Sequence, residues 1–191
     1  MRSAAAADDM PRDGAPEIAL VGRSNVGKSS LINALVRRTV ARTSAAPGKT
    51  RLANIYRVTR GGGSALYLVD LPGYGYARGG PDAAATFETL TAAYFSRVGQ
   101  AGPPDLSALL LVDARHPGLD SDRAAWQWLT ANVDRCALVA TKIDKLARGE
   151  RIHALRSLES VLETSVLPVS AVTGEGLDEL WKLIDTTTTS G

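Results

Sequence analysis

The sequence predicts an α/β fold with a six-stranded, mostly parallel sheet, one antiparallel strand and helices on both faces. Two features of the chain support this prediction. Short apolar runs alternate with segments whose apolar residues recur at helical spacing, which is typical of a parallel sheet flanked by helices. The run at 108–112 is apolar throughout, as in a parallel strand that is covered on both faces.

The individual elements follow from the same periodicities. In order, we expect a strand at about 17–21, a helix at 30–38, strands at 52–59 and 65–70, a helix at 83–98, a strand at 107–113, a helix at 121–132, a strand at 136–141, a helix at 149–163, a strand at 166–169 and a helix at 175–185. Gly61-Gly62-Gly63 separates two adjacent strands and predicts a tight hairpin turn, which accounts for the antiparallel strand.

The loops and ends set the domain organisation. Residues 39–51 lack periodicity and contain a Pro-Gly breaker, so they predict a mobile loop, and a second loop is expected at 71–82. We expect one domain over 17–185, with flexible tails at 1–16 and 186–191.

The composition of the 191 residues is that of an ordinary globular protein, with 45% hydrophobic residues, 22% charged residues and a net charge of +2. The longest uninterrupted apolar runs have five residues, so no membrane-spanning helix is expected. Residues 1–16 contain acids and lack the apolar stretch of a secretory signal. Cys136 is the single cysteine and is expected to be a buried structural thiol. These features predict a cytoplasmic protein.

Residues 22–29 carry the first chemical motif, Gly-Arg-Ser-Asn-Val-Gly-Lys-Ser, which matches G-x-x-x-x-G-K-[ST]. In this pattern, backbone N–H groups surround a polyphosphate at the N-terminus of a helix, and Gly22 and Gly27 are expected to take conformations closed to other residues. Lys28 would reach the β- and γ-phosphates, and the Ser29 hydroxyl would ligate Mg²⁺.

Two further residues fit the same phosphate and Mg²⁺ chemistry. Asp70 follows an apolar strand and is expected to hold Mg²⁺ through water, while Gly73 can offer its backbone N–H to a γ-phosphate. Thr50 is expected to be the second Mg²⁺ ligand of the triphosphate state, with an ordinary loop threonine as the alternative.

Thr141-Lys142-Ile143-Asp144 follows a later strand and identifies the base. The Asp144 carboxylate can accept hydrogen bonds from N1–H and the N2 amino group of guanine, whereas adenine offers neither. Lys142 would lie over the base plane, and Ala171 would present its N–H to guanine O6. The ligands predicted by these motifs are GTP and GDP.

Six stretches together resemble the EngB family, also called YihA or YsxC, of bacterial ribosome-assembly GTPases in the TRAFAC class. They are Gly-Arg-Ser-Asn-Val-Gly-Lys-Ser, Pro-Gly-Lys-Thr, Asp-Leu-Pro-Gly-Tyr-Gly-Tyr-Ala, Leu-Val-Asp-Ala-Arg-His, Thr-Lys-Ile-Asp-Lys-Leu and Val-Ser-Ala. The resemblance covers about residues 17–185. The sequence departs from the family at Ile143, where alanine is usual, and in the predicted helix 83–98, which lacks an expected tryptophan near its start, with Phe87 as the nearest candidate. Thr141 stands where most GTPases carry asparagine but is usual for the family.

The resemblance implies a Ras-like P-loop GTPase fold that hydrolyses GTP with Mg²⁺. It also implies a conformational switch in late assembly of the large (50S) ribosomal subunit, with ribosomal RNA and ribosomal proteins as partners and an association with cell division and septation. Away from the ribosome, the protein is expected to be a monomer. Loops 39–51 and 71–82 would clamp the γ-phosphate and relax after hydrolysis.

The predicted site residues fall into three overlapping groups. Those expected to bind nucleotide are Gly22, Arg23, Ser24, Asn25, Val26, Gly27, Lys28, Ser29, Ser30, Pro47, Gly48, Lys49, Thr50, Asp70, Leu71, Pro72, Gly73, Thr141, Lys142, Ile143, Asp144, Val169, Ser170 and Ala171. Those expected to ligate Mg²⁺ are Ser29, Thr50 and Asp70. Those expected to take part in catalysis are Lys28, Thr50, Gly73 and Asn25.

The activation of water departs from that in Ras-like enzymes. Tyr74 stands where those enzymes carry the glutamine that orients the attacking water, so slow intrinsic hydrolysis is expected. Related GTPases with asparagine at the position of Asn25 bind a potassium ion, which makes K⁺ a second candidate cofactor. The alternative is that Asn25 only braces the loop.

Several features leave two interpretations open. The basic residues Arg37, Arg38, Arg42, Lys49 and Arg51 form either a footprint for RNA phosphates or a solvated surface. Asp113 is either a structural cap or a functional part of the Asp-Ala-Arg-His stretch. Of Trp126 and Trp128, one is expected to pack and the other to be partly exposed. His116 and His153 have no metal-ligand spacing and are expected at the surface.

Two rival functions share these motifs. One is a transport or RNA-modification protein with a similar GTP-binding domain, and this chain shows neither the membrane helices nor the second catalytic domain of such proteins. The other is a guanine-nucleotide-dependent RNA-binding module in which hydrolysis is incidental.

Overall fold

The centre of the fold is a mixed β-sheet, seen here in a computed structural model that describes residues 2–4, 11, 13–41, 53–74, 91–96 and 106–188. The strands of these segments are β1 (Arg2–Ala4), β2 (Glu17–Gly22), β3 (Ala53–Thr59), β4 (Ala65–Asp70), β5 (Leu106–Asp113), β6 (Arg135–Thr141) and β7 (Val166–Pro168). The helices are α1 (Lys28–Val36), α2 (Asp120–Asn132), α3 (Arg148–Leu162) and α4 (Leu177–Thr188), and residues 91–95 are also helical. The other elements agree closely with the predicted ones, but β1 is a seventh strand that was not predicted, and residues 83–90, 97 and 98 of the predicted helix 83–98 lie outside the described residues.

The strand order is β1-β3-β4-β2-β5-β6-β7. Strands β4, β2, β5, β6 and β7 are parallel, whereas β3 pairs antiparallel with both of its neighbours. Because the five parallel strands share one direction, their carboxyl ends meet at one edge of the sheet, where ligands of open α/β sheets bind.

Helices cover both faces of the sheet, as predicted. Leu31 and Ile32 of α1 pack with Leu180 and Ile184 of α4 in one hydrophobic cluster. Residues from α2, α3 and the helical segment 91–95 form the cluster on the other face. The central strand β5 lies between them and is buried along its whole length, so its uniformly apolar run serves both clusters.

Both predicted tails contain regular structure. Residues 2–4, within the segment 1–16 predicted as a tail, form β1, whose backbone pairs with the edge of β3. A strand edge offers free N–H and C=O groups to any chain segment, and such pairing needs no side-chain pattern that a sequence would reveal. Helix α4 continues to Thr188, and the hydroxyls of Thr186 and Thr187 donate to the carbonyls of Leu183 and Ile184.

Both tryptophans of α2 are partly buried and pack on neighbouring helices. Trp126 donates from Nε1 to the Leu162 carbonyl at 3.1 Å, and the Trp128 ring lies 5.7 Å from that of Phe95. The prediction that one of them is left partly exposed is therefore too simple, because α2 lies between α3 and the segment 91–95 and uses one tryptophan on each side.

Cys136 and the two histidines lie where they were expected. The Cys136 thiol is partly buried, and burial together with nearby Asp134 raises its pKa to about 11. His116 and His153 are exposed. No helix among the described residues has the length and apolar character needed to cross a membrane.

Candidate functional site

The phosphate loop lies between β2 and α1 and has two residues with positive φ. Gly27 has φ 112° immediately before α1, and Asn25 has φ 63°. Gly22 does not lie in that region, which corrects the expectation of a special conformation. A Cβ at Gly22 would instead lie 2.8 Å from the carbonyl oxygen of Leu111, so space alone requires glycine there.

The segment after Asp70 pairs with this loop. The Ser24 N–H donates to the Tyr74 carbonyl at 3.0 Å, and a Cβ at Gly73 would lie 2.8 Å from the Ser24 nitrogen. The backbone of Gly73 therefore touches the phosphate loop directly. The contact brings the predicted Gly73 to the same edge of the sheet as the phosphate loop.

Lys28 and Asp70 form a pair of buried opposite charges at the mouth of the loop. Burial lowers the pKa of Lys28 and raises that of Asp70, and each group opposes the effect on the other. In this structure, the Lys28 ammonium donates to the Gly22 carbonyl at 3.1 Å. A phosphate group would give it a stronger acceptor than this neutral carbonyl.

The surroundings of Asp70 suit a divalent cation. Its Oδ1 is buried and has no hydrogen-bond partner among the residues that the structure describes, while Asn54 bonds to the same carboxylate. An ionised carboxylate with such an oxygen is costly to bury unless a cation or a water bound to one satisfies it. Ser29, half-buried in the first turn of α1, can add a hydroxyl ligand. Thr50, the other predicted ligand, lies outside the described residues.

The carboxyl end of β6 supports the phosphate loop from the side. The Thr141 hydroxyl donates towards the carbonyls of Val26, at 2.7 Å, and Val112, at 3.0 Å. Thr141 therefore binds the loop with a single hydroxyl, and the asparagine of other GTPases is not needed for that contact. Lys142 follows with φ 61° and donates to the Asn25 carbonyl.

Asp144 and Ser170 come together at the end of β7, as the sequence predicted for the base pocket. The Ser170 hydroxyl donates to Asp144 Oδ1 at 2.8 Å and accepts from the N–H groups of Val172 and Thr173. Burial raises the pKa of Asp144, but the Ser170 hydrogen bond and Lys145 outweigh this and lower it. The carboxylate is thus ionised at neutral pH, as an acceptor for guanine must be.

The remaining predicted site residues divide into three groups. Four have side chains buried in the core, so only their backbone groups are available to a ligand: Val26, Leu71, Ile143 and Val169. Arg23, Pro72 and Ala171 are half-buried at the same edge of the sheet, and Ser30 is exposed on α1. Pro47, Gly48 and Lys49 lie with Thr50 outside the described residues.

The chain is similar in sequence to known GTP-binding proteins. A family model described as "50S ribosome-binding GTPase" matches residues 17–142. The "Probable GTP-binding protein EngB" of Lacticaseibacillus casei (strain BL23) is 42% identical over 190 residues, covering 97% of this chain and 92% of that protein. Its namesake from Chlorobaculum tepidum is 42% identical over 182 residues, covering 94% of this chain and 91% of that protein. This chain belongs to the EngB family.

Membership of the EngB family makes the protein a GTP-binding protein and a GTP hydrolase. Among solved structures, Era from Aquifex aeolicus bound to GDP and aluminium fluoride matches with a TM-score of 0.74 at 23% identity, covering 93% of this chain and 58% of that chain. A probable GTP-binding protein EngB matches with a TM-score of 0.60 at 22% identity, covering 92% of this chain and 99% of that chain. These similarities confirm the predicted Ras-like P-loop fold.

The sequence of this EngB-family chain did not reveal which side chain holds the start of the loop predicted at 39–51. Asn33 of α1 binds the start of the predicted mobile loop, with its side chain accepting from the N–H groups of Val40 and Ala41 and donating to the Ala41 carbonyl. The backbone is therefore fixed through Ala41, beyond the predicted start of the loop at residue 39. The sequence signal for this contact was an asparagine, a polar residue that disfavours helices, within an otherwise apolar helix.

The Tyr74 side chain turns away from the phosphate loop into the core. Its hydroxyl donates to Asp122 Oδ1 at 2.8 Å, and Asp122 is 1% exposed. Burial raises the pKa of Asp122, and the hydrogen bond from Tyr74 opposes that rise. Asp122 is therefore a buried acid whose charged form depends on this phenol, and Tyr74 does not face the reacting phosphate.

Replacing Tyr74 by phenylalanine should lower the free energy of unfolding by about 2 kcal/mol at neutral pH, because a buried carboxylate loses a hydrogen bond. The folded-state pKa of Asp122 lies above its unfolded value, so its ionisation costs stability as the pH rises. Without the phenol this pKa rises further. The destabilisation should therefore shrink on acidification, as measured by chemical denaturation from about pH 7 to pH 4.

Tyr67→Phe is the matched control, because the Tyr67 hydroxyl donates at 2.7 Å to Asp13, which is exposed. Water can replace that bond, so the loss should stay below about 1 kcal/mol. Equal losses in the two variants, or a Tyr74→Phe loss that does not change with pH, would contradict the assigned role of Asp122.

Proposed function

We propose that this GTPase acts as a nucleotide-dependent switch in assembly of the large ribosomal subunit, binding ribosomal RNA and protein in the triphosphate state. The observation that carries the proposal is the position of Arg37 and Arg38. Both are exposed at the carboxyl end of α1, the helix that begins at the phosphate loop, and they directly precede the loop that contains Thr50. Basic side chains at such a position can bind RNA phosphates, and we expect the adjoining loop to make that binding depend on the nucleotide.

The family supports this proposal in two ways. Its model carries the description of a 50S ribosome-binding GTPase. Era, whose fold this chain shares with a TM-score of 0.71 at 24% identity, has been crystallised with MgGDPNP and nucleotides 1506–1542 of 16S ribosomal RNA. A ribosomal partner would place the protein in the cytoplasm, and we propose that it is a monomer when unbound. The association with septation stays a prediction.

We assign the phosphate and metal chemistry to the residues around Lys28. Lys28 neutralises the β- and γ-phosphates, Ser29 and Asp70 hold Mg²⁺ directly and through water, and Gly73 donates its N–H to the γ-phosphate. The unpartnered oxygen of Asp70 supports this assignment. Thr50 would complete the metal site, and Pro47, Gly48 and Lys49 would approach with it in the triphosphate state.

We assign recognition of the base to Asp144 and Ala171. The Ser170 hydroxyl occupies one oxygen of the Asp144 carboxylate, which fixes its plane and leaves lone pairs for guanine N1–H and the N2 amino group. The N–H groups of Val172 and Thr173 donate to the Ser170 hydroxyl. These bonds hold the loop that follows Ser170, and Ala171 is its first residue.

We propose that K⁺ supplies the positive charge that hydrolysis requires between the β- and γ-phosphates. The Tyr74 phenol is bound to Asp122 in the core and does not take the place of a water-orienting glutamine. Asn25 is exposed in the phosphate loop, and none of the described residues hydrogen-bonds to its side-chain amide. The bracing interpretation requires such a bond, so the amide oxygen is better suited to a cation.

Asp144→Asn should convert guanine preference into xanthine preference. Xanthine carries a carbonyl in place of the N2 amino group, and an asparagine amide can donate to it while accepting from N1–H. Hydrogen bonds to a charged group contribute about 1.5–3 kcal/mol each, so the GTP-to-XTP affinity ratio should change by about a hundredfold or more. Competition binding measures the ratio, with Asp134→Asn, an exposed acid at the opposite end of β6, as control. An unchanged ratio would place the base-recognising carboxylate elsewhere.

The potassium proposal predicts that GTP turnover is faster in KCl than in NaCl of equal ionic strength, by about tenfold or more, because K⁺ has the larger coordination shell. Asn25→Ala should abolish the difference between the two salts. Rates are measured with and without ribosomal particles. If the wild type hydrolyses GTP equally fast in both salts under both conditions, the potassium mechanism is wrong.

Co-sedimentation with purified 50S particles tests the ribosomal role. Binding should be tighter with a non-hydrolysable GTP analogue than with GDP, and Arg37→Gln with Arg38→Gln should reduce the slope of log affinity against log salt by about 1.4. Arg42, the third arginine of the predicted set, lies outside the described residues. The control replaces Arg148 and Arg156, which are exposed on α3.

Three results would count against the switch. Equal binding in the two nucleotide states would leave a nucleotide-independent RNA-binding module, and an unaltered salt slope would make Arg37 and Arg38 a solvated surface. Nucleotide-dependent binding without stimulated turnover would favour the alternative in which hydrolysis is incidental.

A further inference from the structure

Asp113 ends strand β5 and belongs to the Asp-Ala-Arg-His stretch, to which none of the roles above assigns a function. Its carboxylate accepts hydrogen bonds from two cationic side chains. Arg115 donates from Nε to Oδ1 at 2.9 Å and from Nη2 to Oδ2 at 2.7 Å, and Lys142 donates from Nζ to Oδ2 at 2.9 Å. The Arg115 N–H also donates to Oδ1 at 3.1 Å, so the carboxylate caps its own turn.

Lys142 reaches from the end of β6 across to the phosphate loop. Its Cε lies 3.7 Å from where a Cβ at Gly27 would be, and its ammonium bonds both Asp113 and the Asn25 carbonyl. Lys142 and Asn25 both have positive φ, the two non-glycine residues of this edge that do. The hydrogen bond from the Lys142 ammonium to the Asn25 carbonyl thus joins two residues whose backbone conformations are unfavourable by about 1–2 kcal/mol each.

We propose that Asp113, held by Arg115, is a positioning residue for guanine nucleotides: it fixes the Lys142 side chain in an extended conformation against Gly27, ready to receive the base. Asp113 touches no nucleotide itself and acts through Lys142. The Asp-Ala-Arg-His stretch thereby gains a function in nucleotide affinity. The inference concerns GTP and GDP binding and does not depend on the ribosomal role.

The physical reason is the conformational entropy of a long side chain. A free lysine loses its rotamer freedom when a base packs on its stem, and that loss weakens binding. Asp113 and the Asn25 carbonyl hold the ammonium at one end, while β6 holds the Cα at the other. The stem is therefore ordered before the nucleotide arrives. Burial raises the pKa of Asp113, but Arg115 and Lys142 outweigh it, so the anchor is charged throughout the physiological pH range.

The geometry also separates positioning from base recognition. Lys142 contacts the phosphate loop and would lie against the ring plane, whereas Asp144 would bind the edge that carries the N2 amino group. Loss of Asp113 should therefore weaken GDP and IDP, which lacks that amino group, by the same factor. A change at Asp144 should alter the ratio between them.

The experiment is calorimetric titration of Asp113→Asn, Lys142→Met and the double variant with GDP and with IDP. Asp113→Asn should weaken both nucleotides about tenfold with an unchanged GDP-to-IDP ratio, as expected for one disordered side chain. The double variant should bind no more weakly than Lys142→Met alone. Asp185→Asn is the control, because it removes an acid from the exposed ion pair with Arg60 on α4.

Three results would overturn the proposal. They are GDP affinity of Asp113→Asn within about twofold of the wild type, losses that multiply in the double variant, or a changed GDP-to-IDP ratio. If Asp113→Asn does not fold, Arg115→Gln replaces it, since the Arg115 side chain is 40% exposed and its loss spares the buried carboxylate. It should weaken both nucleotides about threefold, and Lys142→Met should abolish that effect. An unchanged affinity would again refute the inference.

Discussion

The phosphate loop depends on contacts from outside it, and the site depends on those contacts. Within the loop, the Val26 N–H donates to the Arg23 carbonyl at 3.2 Å, but N–H groups that point to a bound phosphate cannot pair in this way. The Tyr74 carbonyl binds the loop at Ser24, the Thr141 hydroxyl binds it at Val26, and the Lys142 ammonium binds it at Asn25. The first contact comes from the segment after β4 and the other two from the carboxyl end of β6, and the parallel sheet brings both strand ends to the same edge.

Much of the fold and the candidate site could be predicted because the signals are local. The run at 106–113 shows burial on both faces, the Gly-Lys-Ser sequence marks the start of α1, and Asp70, Thr141 and Ser170 follow strands that the pattern already identifies. Parallel pairing then brings those strand ends together. The meeting of Asp144 with Ser170 was predictable from order and spacing in this way.

The features that could not be predicted depend on contacts between distant segments or on backbone alone. Strand β1 pairs through main-chain groups that every sequence possesses. Whether Asp113 meets Lys142 depends on the register of β5 against β6, which sets Asp113 opposite Thr141. Asn33 and Asp122 are polar residues on otherwise suitable helices, and only the fold shows that each anchors a loop next to the nucleotide site.

Helix α1 connects chemistry at one end to a surface at the other. Its nine residues span about 13 Å, with Lys28 at the amino end, Asn33 near the middle and Arg37 just beyond the carboxyl end. A helix of this length behaves as a stiff rod, so a small rotation about the phosphate loop becomes a translation of the two arginines over the surface that a partner would touch. Lys28 and the two arginines therefore lie at opposite ends of one rigid helix, and its length limits how far a change at the phosphate loop can move that surface.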